Sequence, residues 1–148
     1  MRKKLLLFSC LAVLILGCAS AKEYVLYDGP RLPKEKVAIL YAPTNTNVRL
    51  FVVNDRKASG INGFGSEWGD AFIMELLPGA YDLAVGYREV YGVMIISSNK
   101  NQTVSFRAEA GHIYLLTAES RKSIEGFWSI PQVLDVTPDH EKKEEYSF

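Results

Sequence analysis

Cysteine is almost missing from this 148-residue chain, which has only Cys10 and Cys18, and histidine is as scarce, at His112 and His140. With no thiol after residue 18, the body of the protein can form no disulfide and must be held by its core alone. Two histidines so far apart, with neither an H-E-x-x-H pattern nor a cysteine ligand nearby, do not make a zinc site; solvated polar side chains are the simpler reading. Helical periodicity is also absent. The longest apolar run, Leu5 to Leu16, would reach roughly 18 Å as a helix, against the ~30 Å hydrocarbon core of a bilayer. A membrane-spanning helix is therefore excluded for that run.

That run nevertheless has an ordered setting. Arg2, Lys3 and Lys4 precede it, and Gly17-Cys18 closes it, which is the layout of an exported protein's signal peptide. An ordinary secretory cut prefers small residues at the third and first positions before the site, and Ile15 does not fit the third. A later cut is the alternative, since Ala19-Ser20-Ala21 has the A-x-A shape. Ile15-Leu16-Gly17-Cys18 resembles the lipobox of bacterial lipoproteins, with Ile and Leu where Leu and Ala or Ser are more usual. The resemblance covers residues 1–18 and implies a diacylglyceryl group on the Cys18 sulfur, loss of residues 1–17, and acylation of the new amino terminus. Two or three acyl chains hold a protein on a bilayer essentially permanently, whereas one is marginal. Ala19, where an Asp retains such lipoproteins at the inner membrane of Gram-negative bacteria, implies an outer-membrane address.

Removal of the first 17 residues leaves 131, enough for one domain with its own core. Arg2, Lys3 and Lys4 leave with them, so 17 basic residues fall to 14 against 17 acidic ones, a net charge of −3. A net acidic domain is a poor match for nucleic acid, which demands a basic face. Residues 18–36 read as the lipidated cysteine and a tether, with Asp28-Gly29-Pro30 as a turn and Tyr24 to Tyr27 able to dock as an edge. Residues 37–136 read as the domain, and 137–148, rich in Glu and Lys, as a charged flexible tail.

Within the domain the chain divides into short apolar runs between turn residues: 37–41, 48–53, 72–77, 81–88, 91–96, 103–108, 113–118 and 127–136, the last split by Pro131. Tyr81, Leu83, Val85 and Tyr87 alternate with Asp82, Ala84, Gly86 and Arg88, and Val104, Phe106 and Ala108 alternate with Thr103, Ser105 and Arg107. Period two means strands with one buried face. Connections of two to six residues are too short for helical crossovers. The expectation is all-β: a single antiparallel sandwich of about seven or eight strands.

Two stretches resemble known hairpins. Leu77-Pro78-Gly79-Ala80-Tyr81-Asp82-Leu83-Ala84-Val85 is similar to the L-P-G-x-Y-x-L-x-V hairpin of transthyretin-like, carboxypeptidase-regulatory-like and PEGA-type sandwiches, with Pro-Gly expected to give a turn with positive φ at Gly79. Ala108-Glu109-Ala110-Gly111-His112-Ile113-Tyr114-Leu115-Leu116 resembles an A-x-A-G-x-x-Y-x-L hairpin of small bacterial lipoproteins. Both imply an Ig-like or transthyretin-like fold and neither implies catalytic residues.

Chemistry is thin elsewhere. Gly60-Ile61-Asn62-Gly63-Phe64-Gly65 lacks the G-x-G-x-x-G spacing and no Lys-Ser or Lys-Thr follows it. No G-x-S-x-G elbow exists. Carboxylates such as Glu67 with Asp70, or Asp82 with Glu89, read as solvated surface acids before glycosidase pairs. The longest connection, residues 54–70, carries Phe64 and Trp68 among four glycines, either as a lid over one end of the sandwich or as a binding tip. Trp128 reads as a core plug. The expectation is a non-enzymatic envelope lipoprotein without cofactor or metal, bound to the membrane through Cys18 and to an envelope protein or glycan. An accessory subunit of an envelope assembly and a hydrolase on the same scaffold are the alternatives.

Overall fold

A computed structural model describes residues 21–44, 47–57, 71–97, 102–123 and 126–137. Cys18, Phe64, Trp68, Glu67, Asp70, His140, the Gly60–Gly65 stretch and residues 138–148 lie outside them.

Among the described residues the regular elements are strands and one short 3-10 turn at Lys34–Lys36. Ten strands follow in order: β1 (Lys22–Val25), β2 (Ala38–Ala42), β3 (Val48–Val53), β4 (Arg56–Lys57), β5 (Phe72–Leu76), β6 (Gly79–Tyr91), β7 (Met94–Ser97), β8 (Gln102–Ala108), β9 (Ile113–Ser123) and β10 (Gly126–Asp135). They build two sheets, one ordered β1-β5-β2-β9-β10 and the other β4-β3-β6 with β7 and β8 along the far side of β6. The all-β sandwich expected from the alternating pattern is what forms.

Each sheet turns one face inward. Leu40, Met74, Leu76 and Leu116 come from the first sheet and Leu50, Val53, Leu83 and Val85 from the second, and all eight are essentially inaccessible to water. Burying such a side chain contributes roughly 1.5–3 kcal/mol. On β2 the inward residues are Ala38, Leu40 and Ala42, whose alternation with half-buried Ile39 and Tyr41 follows from the two-residue repeat of the pleat. A register shift between Leu50 and Val52 of β3 marks a bulge opposite β6.

Pairing departs from a wholly antiparallel arrangement in two places. β1 runs parallel to β5, Lys22 beside Phe72 and Val25 beside Glu75, and β2 runs parallel to β9, Ile39 beside Ile113. Neither pair is consecutive in sequence, and the chain between them passes through the opposite sheet, so no short crossover is required. Tyr24 to Tyr27 supply an edge only in part, with Tyr24 and Val25 ending β1.

Three turn details differ from the sequence expectation. Gly79 has no positive φ; it is already the first residue of β6, paired with Ala108, and the bend is made by Pro78. Tyr81 holds that bend by donating its hydroxyl to the Leu77 carbonyl at 2.8 Å. Gly92 and Val93 form a two-residue turn that separates β6 from β7 inside the apolar run 91–96, with Gly92 at φ 56°, the Gly-first order of a II′ hairpin. Pro131 does not split β10: that strand is the last in its sheet, so a residue without an N–H is tolerated where no further strand pairs.

Candidate functional site

The strand registers place two side-chain groups near the same end of the first sheet, where Glu75, Ile39 and Ile113 lie level. At the end where β9 begins, Gly111 adopts φ 80° and its N–H bonds to the Val37 carbonyl at 2.8 Å, bringing His112 to the rim. Pairing of β9 with β10 sets Tyr114 opposite Asp135, so residues 112 and 135 meet although 23 positions separate them. His112 Nδ1 lies 2.7 Å from Asp135 Oδ2. Facing an ionised carboxylate, Nδ1 carries the hydrogen.

Asp135 is surrounded by donors. The Thr137 hydroxyl and amide donate to Oδ1 at 2.6 and 3.0 Å, and the same hydroxyl accepts from the Ile113 amide at 2.9 Å. Burial by itself pushes the Asp135 carboxyl up, but the Thr137 hydroxyl, His112 and the Thr137 amide together hold it below its ordinary value. His112 stacks on Tyr114 with centroids 6.2 Å apart, and Tyr114, Phe106 and Tyr81 continue as an aromatic row at 5.1 and 5.8 Å. Burial pushes the Tyr114 phenol up, against a lowering bond from the Glu109 amide. His112 is thus a half-buried member of this row, hydrogen-bonded to Asp135.

An Asp–His pair in this orientation has the geometry of an acid–base relay. What lies beyond Nε2, however, is Glu109 Oε2 at 3.8 Å, an acceptor and not a nucleophile. Asp135 and Glu109 flank opposite edges of the ring, so the three groups do not converge on a common point. Among the described residues no cluster of three or more His, Cys, Asp or Glu side chains could hold a metal ion.

A second polar constellation fixes the approach of the chain to β1. Glu75 points away from the core, yet its side chain is only 5% exposed because residues 26–36 fold over it. Arg31 donates from Nε to Glu75 Oε1 at 2.6 Å and from a terminal nitrogen to Glu23 Oε2 at 2.7 Å, while Tyr27 donates to Glu75 Oε2 at 2.8 Å and accepts from the Leu32 amide at 3.0 Å. The hydrogen bonds it donates to Glu23 and then to Glu75 raise the Arg31 guanidinium pKa further. Segment 26–36 and the edge strand are thereby pinned to the sheet.

Other sequence candidates separate. Asp82 and Glu89 project from opposite faces of β6 and are seven residues apart, roughly 23 Å along the strand, so they cannot flank one glycosidic bond. Asp82 accepts from Ser105 at 2.5 Å beside an open depression of about 450 Å³ lined by Val52, Asn54, Ala80, Ala84 and Thr103. Glu89 accepts from Tyr87 at 2.7 Å. Trp128 is not a core plug: it stands on the outward face of β10, 43% exposed, because its register partner Arg121 also faces out. Val90, Val93 and Ile95 around the β6–β7 turn are exposed as well. None of these three stood out in the sequence, where they read as strand interior; the two-residue spacing of Val90 from Arg88 and Gly86 was the available signal.

No family model, no curated protein and no solved structure matches the chain. The fold defines a β-sandwich, and the side chains and their geometry carry the rest of the functional reading.

Proposed function

We propose that the chain is a non-enzymatic, lipid-anchored binding or structural module of the bacterial cell envelope, with an outer-membrane address and an envelope protein or glycan as its partner. The observation that carries this reading is Ile15-Leu16-Gly17-Cys18 set four residues before β1. At ~3.3–3.6 Å per residue the tether from Cys18 to Lys22 spans at most about 14 Å. An acylated Cys18 therefore keeps the sandwich against the bilayer surface, and the Arg31–Glu75 pin makes β1 a firm point of attachment rather than a loose leader. Labelled palmitate should enter the parent and not Cys18→Ser, and the parent should move to the detergent phase on partition. Equal labelling of the two chains, or none in the parent, refutes the anchor. Cross-linking in intact cells then identifies the partner.

One observation favours a second reading, hydrolysis on the same scaffold: the His112–Asp135 pair has a relay's orientation. Its discriminating test is His112→Ala, which abolishes a hydrolytic activity under that reading and leaves partner capture unchanged under the first.

A further inference from the structure

The end of the sandwich at which β1 begins carries exposed apolar side chains. Lys22 lies level with Phe72 and Ala42. β2 stops there, but β9 and β10, whose Leu115 and Leu134 stand beside Tyr41, run on past that level as a hairpin reaching Ser123 and Gly126. In the other sheet Val48, which begins β3, pairs with Tyr87, and β6 continues beyond it to Tyr91 before turning back. β6 starts at Gly79 opposite Ala108, at the end where β9 begins, so β6 and β9 both run on toward the other end, with Ser120 near the Tyr87 hydroxyl. From the level of Ala42 to Ser123 is about seven residues, roughly 23 Å at ~3.3 Å each. The tether to Cys18 is shorter than that overhang.

What these extensions carry is apolar. Val93 at the β6–β7 turn is 101% exposed, and Val90 and Ile95 pair across the hairpin on the outer face of their sheet, both more than half exposed. Trp128 and Ile130 occupy alternate positions on the outer face of the other sheet, in the stretch of β10 that overhangs. Apolar side chains thus flank the same end on both outward faces, as a wedge among lipid headgroups requires, and Trp favours the membrane–water boundary. Arg88 lies two residues behind Val90, and Arg121 stands level with Trp128, where it also donates to Glu119 at 3.2 Å; basic groups at this depth meet anionic headgroups.

We propose that the β6–β7 turn, with Trp128 of the neighbouring hairpin beside it, enters the lipid headgroup region next to the anchor, giving the protein a second contact with the bilayer and a fixed orientation upon it. This rests on the Cys18 reading above. A tether of four residues cannot lift an overhang of about seven off the surface while the strands stand upright, which is why the occupant is lipid rather than a second protein.

The test uses the full chain, expressed and processed in cells, then reconstituted in phosphatidylethanolamine–phosphatidylglycerol vesicles. With Cys10 removed and the Cys18 sulfur in a thioether, Val93→Cys supplies the sole thiol for an environment-sensitive fluorophore, and Ala110→Cys, in the β8–β9 turn at the opposite end, supplies the control. Both positions are exposed, so both variants should melt with the parent. The label at 93 is expected to shift to the blue on reconstitution and lose most of its intensity to nitroxide-bearing lipid, with neither change at 110. Identical, water-like signals at both positions in protein that floats with the vesicles overturn the insertion and leave the anchor standing. A blue shift without lipid quenching indicates a protein occupant and also overturns it. A parent chain that takes up the thiol label or lacks fatty acid removes the anchor, and the insertion with it.

Discussion

Replacing Arg31 with Met tests whether the segment over Glu75 is a structural pin. Glu75 is nearly inaccessible at 5%, while Arg31 is 56% exposed, so the pair sits at the boundary between solvent and protein. At an effective dielectric near 20 the gross attraction at 4 Å is about 4 kcal/mol, from which the desolvation of Glu75 must be subtracted. A net coupling of about 1–2 kcal/mol results. The companion pair, Arg31 with Glu23, is exposed on both sides and belongs with surface ion pairs of ~0–1 kcal/mol. The assay is a double-mutant cycle in urea using Arg31→Met with Glu75→Gln, and separately with Glu23→Gln. The first coupling should exceed the second by at least ~1 kcal/mol, and Arg31→Met should open residues 26–36 to protease before the domain melts. Equal couplings, or a first coupling near zero, would falsify the argument from burial.

Leu40→Ala, at a wholly buried position, should cost about 2–5 kcal/mol in urea denaturation; a loss under ~1 kcal/mol would contradict the packing described. Asp135 sits below its ordinary value, so its contribution is complete above the unfolded carboxyl value near 3.9 and disappears as pH falls through the folded one. Asp135→Asn should accordingly flatten the acid limb of the stability–pH curve, and an unchanged limb counts against the His112–Asp135–Thr137 network. Burial first, and then the hydrogen bond to Glu89, push the Tyr87 phenol up to about 12, so stability present below pH 10 should decline between about pH 10 and 12, less steeply in Tyr87→Phe. Trp128→Ser should move the urea midpoint little, within ~0.5 kcal/mol, since the ring stands outside the core.

How much of this could be seen in residue order depends on how local the cause is. The alternation at 81–88 and 103–108 was readable because each strand has one wet face and one dry, and every second residue records it. Strands 48–53 and 72–76 were readable because turn residues bracket them. The parallel partnerships of β1 and β2 were not, because pairing between segments some 50 to 74 positions apart leaves no mark in either. Gly92-Val93 was hidden by apolar neighbours on both sides, which made a two-residue turn look like strand. Trp128 misled because large aromatics usually go inside, and only the register with Arg121 reverses that. The meeting of His112 with Asp135 was foreshadowed weakly, by their positions at the start of one expected strand and the end of the next. Glu75 gave no sign at all: within Phe72 to Leu77 it fits the outward position, and what buries it arrives from residues 27 and 31.

The side-by-side alignment of β2 with β9 has a consequence for synthesis. A ribosome delivers Ala38 to Ala42 long before Ile113 exists, so one long edge of β2 waits uncovered while some seventy further residues emerge. Until then β1, β5 and β2 are a three-stranded fragment with an open side, and a nascent chain stopped short of residue 113 should be sticky and protease-sensitive. The carboxy-terminal hairpin closes the molecule, and no amino-terminal piece should be recoverable as an independent folded unit.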